Sequence, residues 1–209
     1  MEMKEYHKIQ SVYKRDSNTH RFIEGEWSCP EFGFLQNNNW VWTEKVDGTN
    51  IRVGWDGFSI DFNGRTKDAQ TPTFLMSALR DVFLGKETVF KEIFNTDDVC
   101  LYGEGYGAKI QKGGGNYRSD NSFVLFDVLI GGVWLKRESV EDIADKLNLD
   151  VVPIIGNGTL LEAIEYTRDG FYSTWGPFHA EGIVCRPSVE MKTRMGNRII
   201  TKVKTKDWR

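Results

Sequence analysis

The sequence predicts an α+β fold dominated by antiparallel sheet. Short strand-like runs, WVWTEK, NIRVGW, FSIDF, DVCLYGEGYG, SFVLFDVLI, AEGIVCRP and NRIITKVKTK, are separated by Gly, Asn and Asp turn signals. Helical periodicity is confined to a few stretches between them. With 209 residues, 40% hydrophobic and 13% aromatic, the chain is long enough to bury a core. No composition shift, repeat or Ser/Pro-rich linker divides it, so one domain over residues 1–209 is expected.

Several function classes are disfavoured at once. No apolar run approaches the roughly 20 residues that span a bilayer, and MEMKEYHKIQ lacks the apolar stretch of a signal peptide. A soluble, cytoplasmic, monomeric protein without a membrane partner is expected. Cys29, Cys100 and Cys185 are odd in number and far apart, with only His7, His20 and His179 beside them. Neither a disulfide framework nor a zinc site is indicated. The net charge of −3 gives no global pull on nucleic acid, so such a partner needs a local basic surface.

The elements then follow in order. WVWTEK ends on Lys45, and Val46-Asp47-Gly48-Thr49-Asn50 bends the chain at Asp-Gly while Thr49 and Asn50 offer side-chain donors. A lysine there is either a solvated residue leading a hairpin or a group held at a rigid strand end for chemistry. A first helix opens at Thr71-Pro72 with Phe74, Leu75, Ala78, Leu79 and Val82 on one face. Tyr102-Gly103-Glu104-Gly105 sets a carboxylate in glycines that let a ligand come close, and Ala180-Glu181-Gly182 does so again. Each glutamate reads equally as a structural partner for a surface lysine or as a metal or ribose ligand.

GGGNYR, Gly113 to Arg118, is a flexible loop or a phosphate contact, but without G-x-x-x-x-G-K-[ST] it is no P-loop. SFVLFD is an apolar strand whose phenylalanines fill a core or stack on a ligand. A second helix is expected from Ser139, with Asp142 completing a capping box ahead of Val140, Ile143, Ala144 and Leu147. Thr159 and Glu162 repeat the signature before Leu160, Leu161 and Ile164. From Arg198 to Lys204 the alternation puts Ile199, Thr201 and Val203 on one side and Lys202 and Lys204 on the other. Two ammonium groups on one face suit a solvated strand, or a nucleophilic lysine whose pKa they lower while neutralising phosphates.

Taken in order, these elements resemble the covalent nucleotidyltransferase superfamily of ATP-dependent ligases and capping enzymes, most closely RNA ligases of the T-even phage RNA ligase 2 type. Lys45-Val46-Asp47-Gly48-Thr49-Asn50 resembles the nucleophile motif, and Arg65 the arginine that follows it. Tyr102-Gly103-Glu104 is similar to the element whose glutamate holds the ribose. Phe126-Asp127 resembles the adenine-stacking phenylalanine and its neighbour, Glu181-Gly182 the metal-associated glutamate, and Lys202-x-Lys204 the closing lysine pair.

The resemblance implies an antiparallel-sheet nucleotidyltransferase domain flanked by helices, with ATP between two sheets. It also implies Lys45, Lys202 and Lys204 as catalytic residues and Glu181 as the holder of Mg²⁺ or Mn²⁺. Glu44, Asn50, Arg65, Glu104, Phe126, Lys202 and Lys204 are the implied ATP contacts. The implied reaction joins 5′-phosphate and 3′-hydroxyl ends of RNA, or seals a nicked duplex, through lysyl-AMP and an adenylated polynucleotide. A DNA ligase, a guanylyltransferase or a non-catalytic nucleic-acid-binding protein of the same fold are the alternatives. Such ligases usually carry a further C-terminal domain, whereas only Thr205 to Arg209 follow Lys204 here, so a minimal ligase without a separate C-terminal domain or the catalytic core of a longer chain is expected, with Lys109, Lys112, Arg118, Lys192, Arg194 and Arg198 as candidate substrate grips within the core.

Overall fold

The alternating runs become strands because each offers a β-branched or aromatic stripe to a core on one face. In the computed structural model, which describes residues 3–66, 69–96 and 98–209, the elements run β1 (Gln10–Ser11), β2 (Tyr13–Arg15), β3 (Phe22–Trp27), α1 (Pro30–Phe34), β4 (Trp40–Glu44), β5 (Thr49–Trp55) and β6 (Ile60–Gly64). Next come α2 (Thr73–Phe83), α3 (Glu87–Ile93), β7 (Val99–Gly107), β8 (Asn121–Ile130), β9 (Val133–Trp134), α4 (Arg137–Leu147) and β10 (Asp150–Val151). The chain closes with β11 (Ile154–Gly158), α5 (Leu160–Arg168), β12 (Gly182–Pro187) and β13 (Thr201–Lys204). It is an α+β fold of mainly antiparallel sheets, with parallel pairing at β1–β13 and β10–β8.

The chain divides into two compact units, Met1–His7 with Asp47–Val152, and Lys8–Val46 with Pro153–Arg209. In the first, a sheet ordered β10-β8-β7-β5-β6, with β9 on β8, packs one face against α2 and α4. Ile51, Val53, Leu101, Phe123 and Leu125 fill that core with Leu75, Leu79, Phe83, Val140, Ile143 and Leu147. In the second, a sheet ordered β1-β13-β12-β4-β11 buries Trp40, Ile183, Cys185, Ile199 and Val203 with Leu160, Ala163 and Ile164 of α5. A separate β2–β3 ribbon adds Tyr13.

The helices depart from expectation in instructive ways. α2 buries Leu75, Leu79 and Phe83, spaced four apart, whereas Phe74, one residue or about 100° round the helix, is 41% exposed. α4 begins at Arg137, so the expected Ser139 capping box does not form; no side chain caps it. Instead the Arg137 guanidinium donates to Val152 O at 2.9 Å, and this tertiary anchor extends the first turn. The predicted stripe Val140, Ile143, Ala144 and Leu147 is buried. At α5 the Thr159–Glu162 capping box is formed, but Leu161 faces outward. α1 and α3, five and seven residues long, are too short to show a period. Among the described residues no helix is long and apolar enough to cross a membrane.

Candidate functional site

β4 carries the chain to Lys45 along an edge pinned on both sides. Glu44 N–H donates to Pro153 O at 3.0 Å, and Lys45 N–H to Gly182 O at 2.9 Å. No hairpin follows, since β4 and β5 belong to different sheets. Register then decides which side chains meet. Val184 lies between Thr43 and Lys202, and Gly182 is paired with Lys204. Cross-strand partners share a face and alternate residues repeat it, so Lys45, Lys202 and Lys204 project from one face of this sheet.

Glu181, just before β12, joins them. Its Oε2 accepts from Lys45 Nζ at 2.6 Å, and its Oε1 pairs with Lys204 Nζ. The lysine side chains are only 21% and 18% exposed, so neither is an ordinary solvated residue. Burial pushes the Glu181 carboxyl up, but Lys45 and Lys204 outweigh it and hold the group below the usual carboxylate range. Lys202 moves the other way. Burial, then the charges of Lys204, Lys45 and Arg15, lower its pKa to about 8.

Arg15 is a cation that sequence reasoning missed. Ser11 is the parallel partner of Lys202, and Arg15 donates to Ser11 Oγ at 2.8 Å while pairing with Asp207 at 2.5 Å. It thus stands near the lysine face from a strand some thirty residues upstream of Lys45, and no local pattern marks it.

Glu44 is set apart from this cluster. It points to the opposite face, with Trp40 and Trp42, and is 1% exposed. Its carboxylate accepts from Ser173 Oγ at 2.5 Å and from Thr174 N and Oγ1, both at 2.8 Å. The side chain is therefore committed to the protein rather than open to a nucleotide.

The remaining residues implied by the resemblance lie in the first unit, mostly on the sheet face away from its helices. Asn50 and Glu104 are cross-strand neighbours, with Val124 next to Glu104. Asn50 Oδ1 is buried with no hydrogen-bond partner among the described residues, an acceptor that fits a ligand hydroxyl or amine. Phe126 occupies a bulge: Tyr102 pairs with Asp127 and Gly103 with Leu125, leaving Phe126 extra. The bulge keeps Phe123 and Leu125 in the core and turns Phe126 half-buried to the other face, edge-on to Tyr6 at 5.1 Å. Arg65 is exposed just past Gly64, the partner of Ile51.

GGGNYR forms a short helical turn that supports the Asp-Gly bend. Tyr117 Oη accepts from Asp47 N at 3.2 Å and Gln111 Nε2 donates to Gly48 O at 3.1 Å. A Cβ on Gly48 would lie 2.4 Å from Gly105 O, so only glycine fits that bend. Arg118 is bidentate to Asp120, and Arg198 is buried and bidentate to Glu190. Neither is a ready substrate grip, while Lys109, Lys112, Lys192 and Arg194 are exposed.

Three lysines and one carboxylate thus gather on one face of a sheet in this α+β fold. The chain belongs to the RNA ligase family, whose model matches residues 38–204. Its fold is similar to that of Naegleria gruberi RNA ligase: the structure with PPi gives a TM-score of 0.69 at 17% identity, covering 99% of this chain and 57% of that chain. A mutant of that ligase with ATP and Mn gives 0.67 at 16% identity, covering 100% and 62%. The chain thus spans little more than half the length of these relatives. No curated protein matches it.

Proposed function

We propose that the protein is an ATP-dependent RNA ligase in which Lys45 is the nucleophile. The observation that carries this reading is the gathering of Lys45, Lys202 and Lys204 on one sheet face around Glu181. A free lysine of pKa about 10.4 is almost wholly protonated near neutrality. A field that brings Lys202 to about 8 is one that favours a neutral amine. Glu181, hydrogen-bonded to Nζ at 2.6 Å, orients the amine.

Lys45 Nζ then attacks the α-phosphorus of ATP, the P–N bond forms, and the bond to pyrophosphate breaks. Lys202 and Lys204 stabilise the charge that develops on the phosphoryl oxygens and the leaving group. Arg15 adds a further positive charge near that face. Glu181 fits as the protein ligand of Mg²⁺ or Mn²⁺, since such an ion takes few carboxylates and fills its shell from phosphate and water. When bound it would add positive charge at the transferring phosphoryl group. In the first unit, Glu104, the orphaned Asn50 Oδ1 and the ring of Phe126 suit a ribose and a base. Arg65, exposed, suits phosphate as a two-pronged donor.

Transfer of AMP to an RNA 5′-phosphate and its displacement by a 3′-hydroxyl complete the reaction. DNA ends or GTP are alternatives that the same residues would serve. The protein is incubated with α-labelled ATP and a divalent ion, denatured, and tested for retained label. Acid-labile label on wild type and none on Lys45→Ala is expected. Equal label on the two proteins would reject Lys45, and label from GTP alone would reassign the enzyme to the guanylyltransferases.

A further inference from the structure

Glu44 is a buried carboxylate whose hydrogen bonds come from the neutral donors Ser173 and Thr174 rather than from Lys45, one residue away. Unpartnered, a carboxylate at that depth would be strongly destabilising, so the three donors are a necessity of the fold. The loop that supplies them joins α5 to β12 and is itself tightly tied. Ala180 N–H donates to Phe171 O at 2.9 Å, Ser173 N–H to Phe178 O at 2.8 Å, and Trp175 N–H to Ser173 Oγ at 3.1 Å. Tyr172 and His179 stack at 4.9 Å across it. Its last residue before β12 is Glu181, whose carbonyl is held by Thr205 N–H at 3.1 Å.

One loop therefore grips the end of β4 through Glu44 on one sheet face and delivers Glu181 to Lys45 on the other. The geometry points to Glu44, Ser173 and Thr174 as positioning residues, a clasp that sets the contact between Lys45 and Glu181. None of the three touches the reacting atoms. Glu44 is thereby reassigned from nucleotide contact to support, and the assignment rests on the proposed function only for its effect on nucleotide transfer. The charged groups that the register places on the Lys45 face include Lys202, Lys204 and, further along β12, Arg186, joined by Glu181 and with Arg15 at the edge of the cluster.

The test uses the whole chain and two variants. Ser173→Ala with Thr174→Val removes two hydroxyl donors, and Glu44→Gln removes the charge while keeping the volume. Amide hydrogen exchange read by mass spectrometry reports how firmly the loop and the end of β4 are tied, at Thr174, Ala180 and Lys45, without requiring activity. Loosening the clasp frees Glu44 from Ser173 and Thr174 and with it the strand end. Exchange in peptides covering residues 40–46 and 171–182 is therefore expected to speed about tenfold in both variants, with the rest of the second unit unchanged. Labelling by ATP should slow about tenfold at saturating nucleotide, with half-saturation unchanged.

Folded variants with unchanged exchange at the end of β4 and in the loop would overturn the clasp. So would a rise in half-saturation for Glu44→Gln that Ser173→Ala/Thr174→Val does not share, because that split marks direct contact with the nucleotide. If the double variant does not fold, Ser173→Ala alone retains both Thr174 bonds and must show the same direction of change. A wild type that takes no label from ATP would reject the proposed function, while the exchange rates would still decide the clasp.

Discussion

Lys202 shows how a residue's surroundings set its chemistry. The strand alternation that turns it away from the core also brings it beside Lys204 and Lys45, and its pKa falls to about 8 because burial and those charges oppose the ammonium form. A group that loses its charge as pH rises through that value holds polyphosphate less well above it. Titration calorimetry with pyrophosphate should therefore show affinity falling above pH 8, by at most about tenfold per pH unit for this one group. Lys202→Arg, which keeps its charge, should flatten that limb. A slope identical in the two proteins would assign the titration elsewhere. Lys45 was legible in the sequence as a lysine at a strand end. Its contact with Glu181, 136 residues away, was not.

At the scale of the element, β7 and β8 show a pattern that local reading only half resolves. Their apolar content predicts strands, and strands form, but the bulge at Phe126 depends on a partner strand that sequence spacing does not reveal. Gly103 is the counterpart of that irregularity. A Cβ there would sit 2.2 Å from Phe123 Cζ and 2.4 Å from Val124 O, so the ring and the neighbouring backbone would both have to move. Gly103→Ala should destabilise the protein by about 1–3 kcal/mol, read as a lower urea midpoint; an unchanged midpoint would mean that this sheet yields more readily than its packing indicates. The helices divide the same way. The α5 capping box, a signature within four consecutive residues, was readable. The start of α4 was not, because Arg137 answers to Val152 rather than to a local cap.

At the scale of the whole molecule, with a net charge of −3 and exposed local cations, the RNA proposed as substrate would be met by particular basic points rather than by a general field. The hairpin closed by Lys192 and Arg198 is one such point. Arg198 is spent inwardly on Glu190, whereas Lys192 and Arg194 stay exposed. Lys192→Ala with Arg194→Ala should weaken binding of a nicked RNA duplex and reduce the salt slope of that binding by about two. Labelling by ATP should not change; an unaltered slope would move the RNA contact away from this hairpin.

The sequence by itself determined what is local: the strands and their alternation, the α5 cap, the turn after Lys45, and enough ordered elements to resemble the family to which the chain belongs. Tertiary structure alone decided that the chain makes two units, each built from two separated segments, so that no linker marks their boundary. It alone also decided that Glu44 is buried against Ser173 and Thr174, that Arg15 joins the cations and that the Lys202 pKa is lowered. The physical reason is that burial and pairing register arise between residues far apart in the chain, whereas propensity and turn chemistry act among neighbours.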